Sequence, residues 1–286
     1  MRFVATIGFF DGVHRGHHYV LEHIITLARQ ADLKAAVITF SEHPLEIIRG
    51  EHKPLLTTTQ ERVELLKEQQ LDEIFCFNFE VIKDFSAAQF LQILHDNCGV
   101  DMLLMGYDHH FGSDRLREFN QYKQAGLSAG VNIIELEEYK QDGNHISSTA
   151  IRRLLLEGRV VEANQLLGYQ YKFSGVVVHG RHIGRQIGFP TANVDISDRK
   201  IIPADGVYGV DVKLEHGAVH KAIVNIGCNP TLGAEQRTIE VHIPDFNQQI
   251  YGEQITIIFR KFIRHEMTFA SLDQLRKQIA TDVSQL

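Results

Sequence analysis

The chain of 286 residues has room for one large domain or two ordinary ones, and its 44% hydrophobic and 23% charged residues are typical of a soluble globular protein. Its net charge of −7 argues against electrostatic binding of nucleic acid or an anionic membrane over a broad surface. The cysteines have no metal-ligand spacing and are interpreted as buried reduced thiols: Cys76, Cys98 and Cys228. With no secretory leader or membrane-length apolar run expected, we predict a cytoplasmic protein without nucleic-acid or membrane partners. The sequence carries no signal for an oligomeric state.

Apolar and amphipathic segments alternate through residue 157. Strands are predicted at residues 3–7, 35–40, 74–79, 102–105 and 131–136, and helices at residues 17–29, 58–69, 86–94, 115–125 and 147–158. Thr58 with Glu61 and Ser86 with Gln89 have the spacing of capping boxes, which marks two helix starts. The alternation predicts an α/β domain with a Rossmann-like parallel sheet, in which ligands bind at the carboxyl ends of the strands.

Helical periodicity disappears after a short predicted helix at residues 160–167. Strands are predicted at residues 171–178, 207–214, 219–226, 238–243 and 255–262, and a last helix at residues 271–283. This spacing is typical of a small antiparallel β-barrel. We therefore predict two domains, one at residues 1–160 and one at residues 168–286.

A glycine-rich turn at residues 8–17, with the sequence GFFDGVHRGH, joins the first strand to the first helix. Such a turn directs backbone N–H groups and the positive end of the helix dipole at an anion. His14 and His17 are three residues apart and share a helical face, and Gly16 allows a phosphate to come close to the backbone. Two histidines can stabilise the charge of a phosphate during in-line transfer. The alternative is a histidine pair that only caps the helix.

Two other segments have the residue types of phosphate sites. In ISSTAIR at residues 146–152, the hydroxyls of Ser148 and Thr149 stand at a helix start, with Arg152 one turn further on. An ordinary helix cap with a solvated arginine is the alternative. In the second half, a loop that contains Gly180 and Arg185 leads into PTAN at residues 190–193. It is basic enough to fold over nucleotide phosphates, and a solvated hairpin loop is the alternative.

These segments together resemble the bacterial bifunctional riboflavin kinase/FMN adenylyltransferase family, also called FAD synthetase. The first turn resembles the H-x-G-H signature of its nucleotidyltransferase domain. Residues 106–112 and 146–152 resemble its G-x-[DN]-F-x-F-G and I-S-S-T-x-I-R motifs. Residues 190–193 resemble the P-T-A-N motif of riboflavin kinases, and matches at residues 203–208, 225–231 and 237–243 follow in the order of the family.

The resemblance implies roles for particular residues. His14 and His17 would stabilise the transferring phosphate, and Glu240 would be the kinase base, although a surface glutamate on a strand is the alternative. Thr191 and Asn193 would hold Mg²⁺ and phosphate, in keeping with the oxygen ligands that Mg²⁺ prefers. Nucleotide or flavin contacts are implied for Gly8, Asp11, Gly16, Phe40, Asp108, Ser148, Thr149, Arg152, Gly180, Arg185, Arg260 and Arg264. For Phe40 a core aromatic at a strand end is the alternative.

The implied protein is a multifunctional transferase that uses ATP and Mg²⁺. Its barrel would phosphorylate riboflavin to FMN, and its α/β domain would join FMN to the adenylyl group of ATP, giving FAD and diphosphate. Three alternatives stay open. The chain could have only one active site, be another H-x-G-H transferase such as a cytidylyltransferase or pantetheine-phosphate adenylyltransferase, or be a flavin-binding regulator that has lost catalysis.

Overall fold

The computed structural model describes residues 1–106, 109–137, 140–141, 144–180, 184, 188–196, 199–228 and 237–286. The chain divides into two compact units, Met1–Ser148 and Thr149–Leu286. Within the described residues, no helix is long and apolar enough to cross a membrane.

A parallel sheet of five strands forms the centre of the first unit, as predicted. The strands are β1 (Phe3–Ile7), β2 (Lys34–Phe40), β3 (Glu73–Phe77), β4 (Val100–Gly106) and β5 (Asn132–Leu136), in the order β3-β2-β1-β4-β5. Ala5 and Ile38 belong to a core cluster with helix residues such as Leu91. Val4 and Val37, which point to the opposite face, are also fully buried, so both faces of the sheet are covered.

Two of the six helices that the structure describes in this unit begin at predicted caps. The six helices are α1 (Arg15–Gln30), α2 (Pro44–Arg49), α3 (Thr59–Lys67), α4 (Phe79–Ile82), α5 (Ala87–Cys98) and α6 (Phe119–Ala129), followed by two short strands, β6 (Lys140–Gln141) and β7 (Asn144–His145). Both predicted capping boxes, at Thr58 and Ser86, are confirmed by reciprocal hydrogen bonds. Helix α6 starts four residues later than predicted, because Arg115 has a left-handed φ of 53° that is incompatible with a helix.

The cysteine prediction was wrong in one respect. Cys76 is exposed, whereas Cys98 is partly buried, and both are free thiols. Strand β3 is at the edge of the sheet and is covered less completely than its neighbours, which leaves the side chain of Cys76 open to solvent. The side chain of Cys228 lies outside the described residues.

The second unit contains the predicted antiparallel barrel, which is closed by six strands. Its elements are α7 (Ser148–Leu156, which starts at the boundary), α8 (Val160–Leu167), β8 (Lys172–Val178), β9 (Ala192–Ile196), β10 (Gly206–Lys213), β11 (Val219–Cys228), β12 (Arg237–His242), β13 (Gln254–Arg264) and α9 (Leu272–Val283). The strand order is β10-β11-β12-β9-β8-β13, and every pairing is antiparallel. Sequence patterning missed β9, which has only one buried residue, Val194.

Apolar side chains fill the barrel, and the side chains that alternate with them along each strand face its outside. Tyr208, Val224 and Val241 are opposite one another on β10, β11 and β12, and each is at most 1% exposed. Directly opposite residues of antiparallel strands share a face, so the residues between these positions project outward. The strand register therefore determines which side chains face the interior of the barrel and which face its outside.

Candidate active sites

The turn between β1 and α1 is held in a strained backbone conformation. Phe10 and Val13 have φ values of 54° and 35°, and Gly12 has 82°. A left-handed conformation is costly for a β-branched residue such as Val13, whose side chain is fully buried. The ring of His18 donates from Nε2 to the carbonyl of Val13, at 2.8 Å. Packing and this hydrogen bond hold the turn so that His14 stands at the start of the helix.

His14 and His17 form a reciprocal cap at this helix start. The Nδ1 of His14 accepts from the backbone N–H of His17, and the Nδ1 of His17 accepts from the backbone N–H of His14, each at 3.3 Å. Their rings stack with centroids 3.6 Å apart. Because both Nδ1 atoms act as acceptors, each neutral ring carries its proton on Nε2. The pair therefore caps the helix through Nδ1, and its Nε2 atoms are the donor atoms of the two rings.

Two predicted glycines in this turn are needed for close packing. A Cβ on Gly16 would lie 3.2 Å from the ring of His14 and 3.4 Å from the carbonyl oxygen of Ile146. A Cβ on Gly8 would lie 2.9 Å from the ring of Phe10. Gly16 in particular leaves room for the His14 ring against the helix start.

Asp11 braces the turn through its carboxylate. It is 3% exposed and accepts from the backbone of Leu56 at 3.0 Å and from the backbone and hydroxyl of Thr57 at 2.9 and 3.0 Å. Its carbonyl accepts from the Ser148 hydroxyl at 2.9 Å. Asp11, the histidines and Ser148 are thus brought together, although they are far apart in sequence.

Other predicted residues of the first site differ in their placement. Phe40 is 6% exposed and packs against Phe79 in the core, with ring centroids 5.4 Å apart. Thr149 and Arg152 lie in the first turns of α7. Asp108 is outside the described residues.

Sequence reasoning missed Arg62, which is fully buried beneath the first site. Its guanidinium lies 4.0 Å from the ring centroid of Phe9 and donates to the carbonyl of Phe40. It therefore connects the carboxyl ends of β1 and β2. A signal was present, since Arg62 shares a helical face with the buried residues Leu65 and Leu66.

Burial, together with the neighbouring rings of His14 and His18, holds the pKa of His17 well below its ordinary value of 6.5. In the unfolded chain His17 would take up a proton as the pH falls through 6.5, whereas the folded protein resists this. The unfolded state then binds more protons, so stability is lost below pH 6.5. We expect thermal unfolding to show a larger drop in Tm between pH 7.5 and 5.5 for the wild type than for His17→Asn. Equal drops would contradict this assignment.

In the second unit, Glu240 lies in a row of polar side chains outside the barrel. On β12 it is directly opposite Asn193 of β9 and Asn225 of β11, so all three share a face. Its chain neighbours Ile239 and Val241 are 5% and 1% exposed and point inward. This confirms that Glu240 projects away from its apolar neighbours.

The predicted PTAN segment packs against Glu240. The Thr191 hydroxyl donates to Glu240 Oε2 at 3.3 Å. A Cβ on Gly180 would overlap the side chain of Asn193, and a Cβ on Gly184 would lie 3.3 Å from the Thr191 hydroxyl. The absence of a side chain at these two glycines therefore leaves room for the side chains of the two proposed Mg²⁺ ligands, Asn193 and Thr191. Arg185 lies outside the described residues.

The two predicted arginines near the end of the barrel are engaged by carboxylates. Arg260 donates from Nε to Asp211 at 2.7 Å. Arg264 binds Asp282 at 2.8 Å, and Asp282 is 1% exposed. This second pair connects β13 to α9.

Both sites contain residue types suited to phosphate chemistry, and the two units match the family models of two transferases. Residues 1–150 match the FAD synthetase family model, and residues 167–286 match the riboflavin kinase model. The chain belongs to the bifunctional riboflavin kinase/FMN adenylyltransferase family. It is an enzyme that carries both activities in one polypeptide, with riboflavin, FMN and ATP as substrates.

Curated relatives match almost the whole chain. The bifunctional riboflavin kinase/FMN adenylyltransferase of Escherichia coli K12 is 37% identical, over 98% of this chain and 90% of the relative. That of Listeria monocytogenes is 34% identical over the same shares. A solved Streptococcus pneumoniae structure, described as a macrolide-efflux protein, has a TM-score of 0.87 and 33% identity, and the match covers 99% of this chain and 93% of that one. This last likeness concerns the fold, and the efflux description belongs to that protein alone.

Proposed function

We propose that the domain at residues 168–286 makes FMN at the Glu240 site and that the domain at residues 1–160 consumes it at the His14 and His17 site. The observation that carries the first-domain assignment is the reciprocal histidine cap, which places the two imidazole rings together at the start of α1. The free thiols of Cys76 and Cys98 favour a reducing, cytoplasmic location.

In the first domain, a phosphate oxygen of FMN attacks the α-phosphorus of ATP. The new P–O bond gives FAD, and the bond to the bridging oxygen breaks to release diphosphate. His14 and His17 donate from Nε2 to the oxygens on which charge accumulates, and His17 does so as a neutral ring. Ser148, Thr149 and Arg152 bind the β- and γ-phosphates at the start of α7, and Asp108 contacts nucleotide or flavin.

In the second domain, the 5′-hydroxyl of riboflavin attacks the γ-phosphorus of ATP. Glu240 accepts the hydroxyl proton, the new P–O bond gives FMN, and ADP leaves. Thr191 orients the Glu240 carboxylate through its hydroxyl. The other implied contacts, including those of Phe40, Gly180 and Arg185, stay predictions, and Arg260 and Arg264 would have to share or leave their carboxylate partners.

The residues of the second site fit a magnesium ion. Hydroxyl and amide oxygens of Thr191 and Asn193 are neutral ligands, which suits Mg²⁺ shared with ATP phosphates and water. Among the described residues, no group of three or more His, Cys, Asp or Glu side chains could hold a metal by itself. Bound Mg²⁺ would neutralise charge on the phosphates.

The test is to incubate the pure protein with riboflavin, ATP and Mg²⁺ and to separate the flavins by chromatography. We expect FMN to appear first and FAD to follow, and EDTA to suppress formation of FMN. Appearance of neither product would contradict the proposal and favour a flavin-binding regulator. Formation of FMN alone, or of FAD only from added FMN, would leave one active site.

A further inference from the structure

His242 lies on the same outer face of β12 as Glu240, two residues further along the strand. It is 6% exposed, and its Nδ1 lies 2.8 Å from the carbonyl oxygen of Pro190. A carbonyl can only accept, so Nδ1 is the donor in this hydrogen bond. The His242 ring also packs edge-on against Phe189, with centroids 5.2 Å apart.

This hydrogen bond continues the attachment of the PTAN segment beyond the strand ladder. Within the described residues, strand β9 pairs with β12 at two positions, Asn193 with Glu240 and Ala192 with Val241. Pro190 has no N–H and cannot donate to a ladder. The side chain of His242 instead holds the Pro190 carbonyl, while Glu240 holds the hydroxyl of Thr191.

We propose that His242 is a positioning residue of the kinase, which places Thr191 and Asn193 against Glu240 by holding the carbonyl of Pro190. The inference rests on the proposed kinase role of these residues. Since Pro190 immediately precedes Thr191, loss of the hydrogen bond would release the start of the segment that binds phosphate and metal. The expected defect concerns MgATP and not riboflavin.

The test compares three full-length variants in steady-state kinase assays. His242→Leu removes the donor, His242→Asn places an amide N–H near the position of Nδ1, and His242→Gln places it near Nε2. We expect His242→Leu and His242→Gln to raise the KM for MgATP about tenfold, the effect of one lost hydrogen bond. His242→Asn should recover most of this loss, and the KM for riboflavin should stay within about twofold. His220→Leu is the matched control, because His220 is a barrel histidine that contacts Phe246 instead.

Unchanged KM for MgATP in both His242→Leu and His242→Gln would overturn the inference. So would equal defects in His242→Asn and His242→Gln, which would indicate that ring packing matters and the hydrogen bond does not. If His242→Leu fails to fold by circular dichroism, the comparison of the Asn and Gln variants decides. A wild-type protein that makes no FMN would instead contradict the proposed function. Failure of the proposed function can therefore be distinguished from failure of the role proposed for His242.

Discussion

Substitution of Glu240 by glutamine is expected to lower the kcat of riboflavin phosphorylation about 10³-fold, within the range for loss of a general base. Glutamine has nearly the same shape and can still accept from Thr191, so the outer face of β12 should keep its structure. It cannot take the proton of the attacking hydroxyl. The rate is measured with riboflavin, ATP and Mg²⁺ by chromatography of FMN.

The same Glu240→Gln variant should adenylylate added FMN at the wild-type rate, because that reaction is assigned to the other domain. Glu215→Gln is the matched control, since Glu215 is exposed in the turn between β10 and β11. Retention of more than about a tenth of the kinase rate would remove Glu240 from the role of base. Loss of both activities in a folded variant would contradict the separation of the two sites.

Substitution of His17 by asparagine should lower the kcat of FAD formation from FMN by about 10²–10³-fold, as expected for loss of a positioned donor to a charged transition state. Asparagine Oδ1 can still accept the backbone N–H of His14, and the backbone N–H of residue 17 can still donate to His14 Nδ1, so the reciprocal cap is preserved. The Nε2–H donor is lost. The assay supplies FMN, ATP and Mg²⁺ and measures FAD and diphosphate.

With riboflavin as the only flavin supplied, His17→Asn should accumulate FMN. His23→Asn is the control on the same helix, because His23 is exposed and its ring donates to the carbonyl of Tyr19. FAD formation within threefold of wild type would show that His17 does not stabilise the transferring phosphate. A parallel loss in His23→Asn would show that the defect comes from α1 as a whole.

Local sequence patterns predicted the elements that depend on near neighbours. The capping boxes at Thr58 and Ser86 were confirmed, and strand β1 and helix α8 have the predicted bounds. Helix caps and strand periodicity act over a few residues, so they can be read directly from the chain. The prediction failed at the start of α6, where Arg115 has a left-handed φ, and at β9, which has one buried residue and is defined by its pairing with β8 and β12.

The family resemblance proposed the chemistry, but some residues to which it gave ligand contacts have structural partners. Asp11 was predicted to contact a ligand, yet both of its carboxylate oxygens accept hydrogen bonds from Leu56 and Thr57. Arg264, for which the family resemblance implied a nucleotide or flavin contact, binds the buried Asp282. A motif specifies the residue type at a position, whereas the folded structure determines which group that side chain contacts.

The sequence by itself therefore determined the two-domain class, the enzyme family and the candidate groups for catalysis: His14, His17, Thr191, Asn193 and Glu240. Only the tertiary structure decided how those groups are held. Thr57 is 46 residues from Asp11, and Pro190 is 52 residues from His242. Contacts at such separations exist only after the strands have paired and the core has closed, so no local pattern can encode them. The physical reason is that burial and hydrogen-bond partners are properties of the packed molecule.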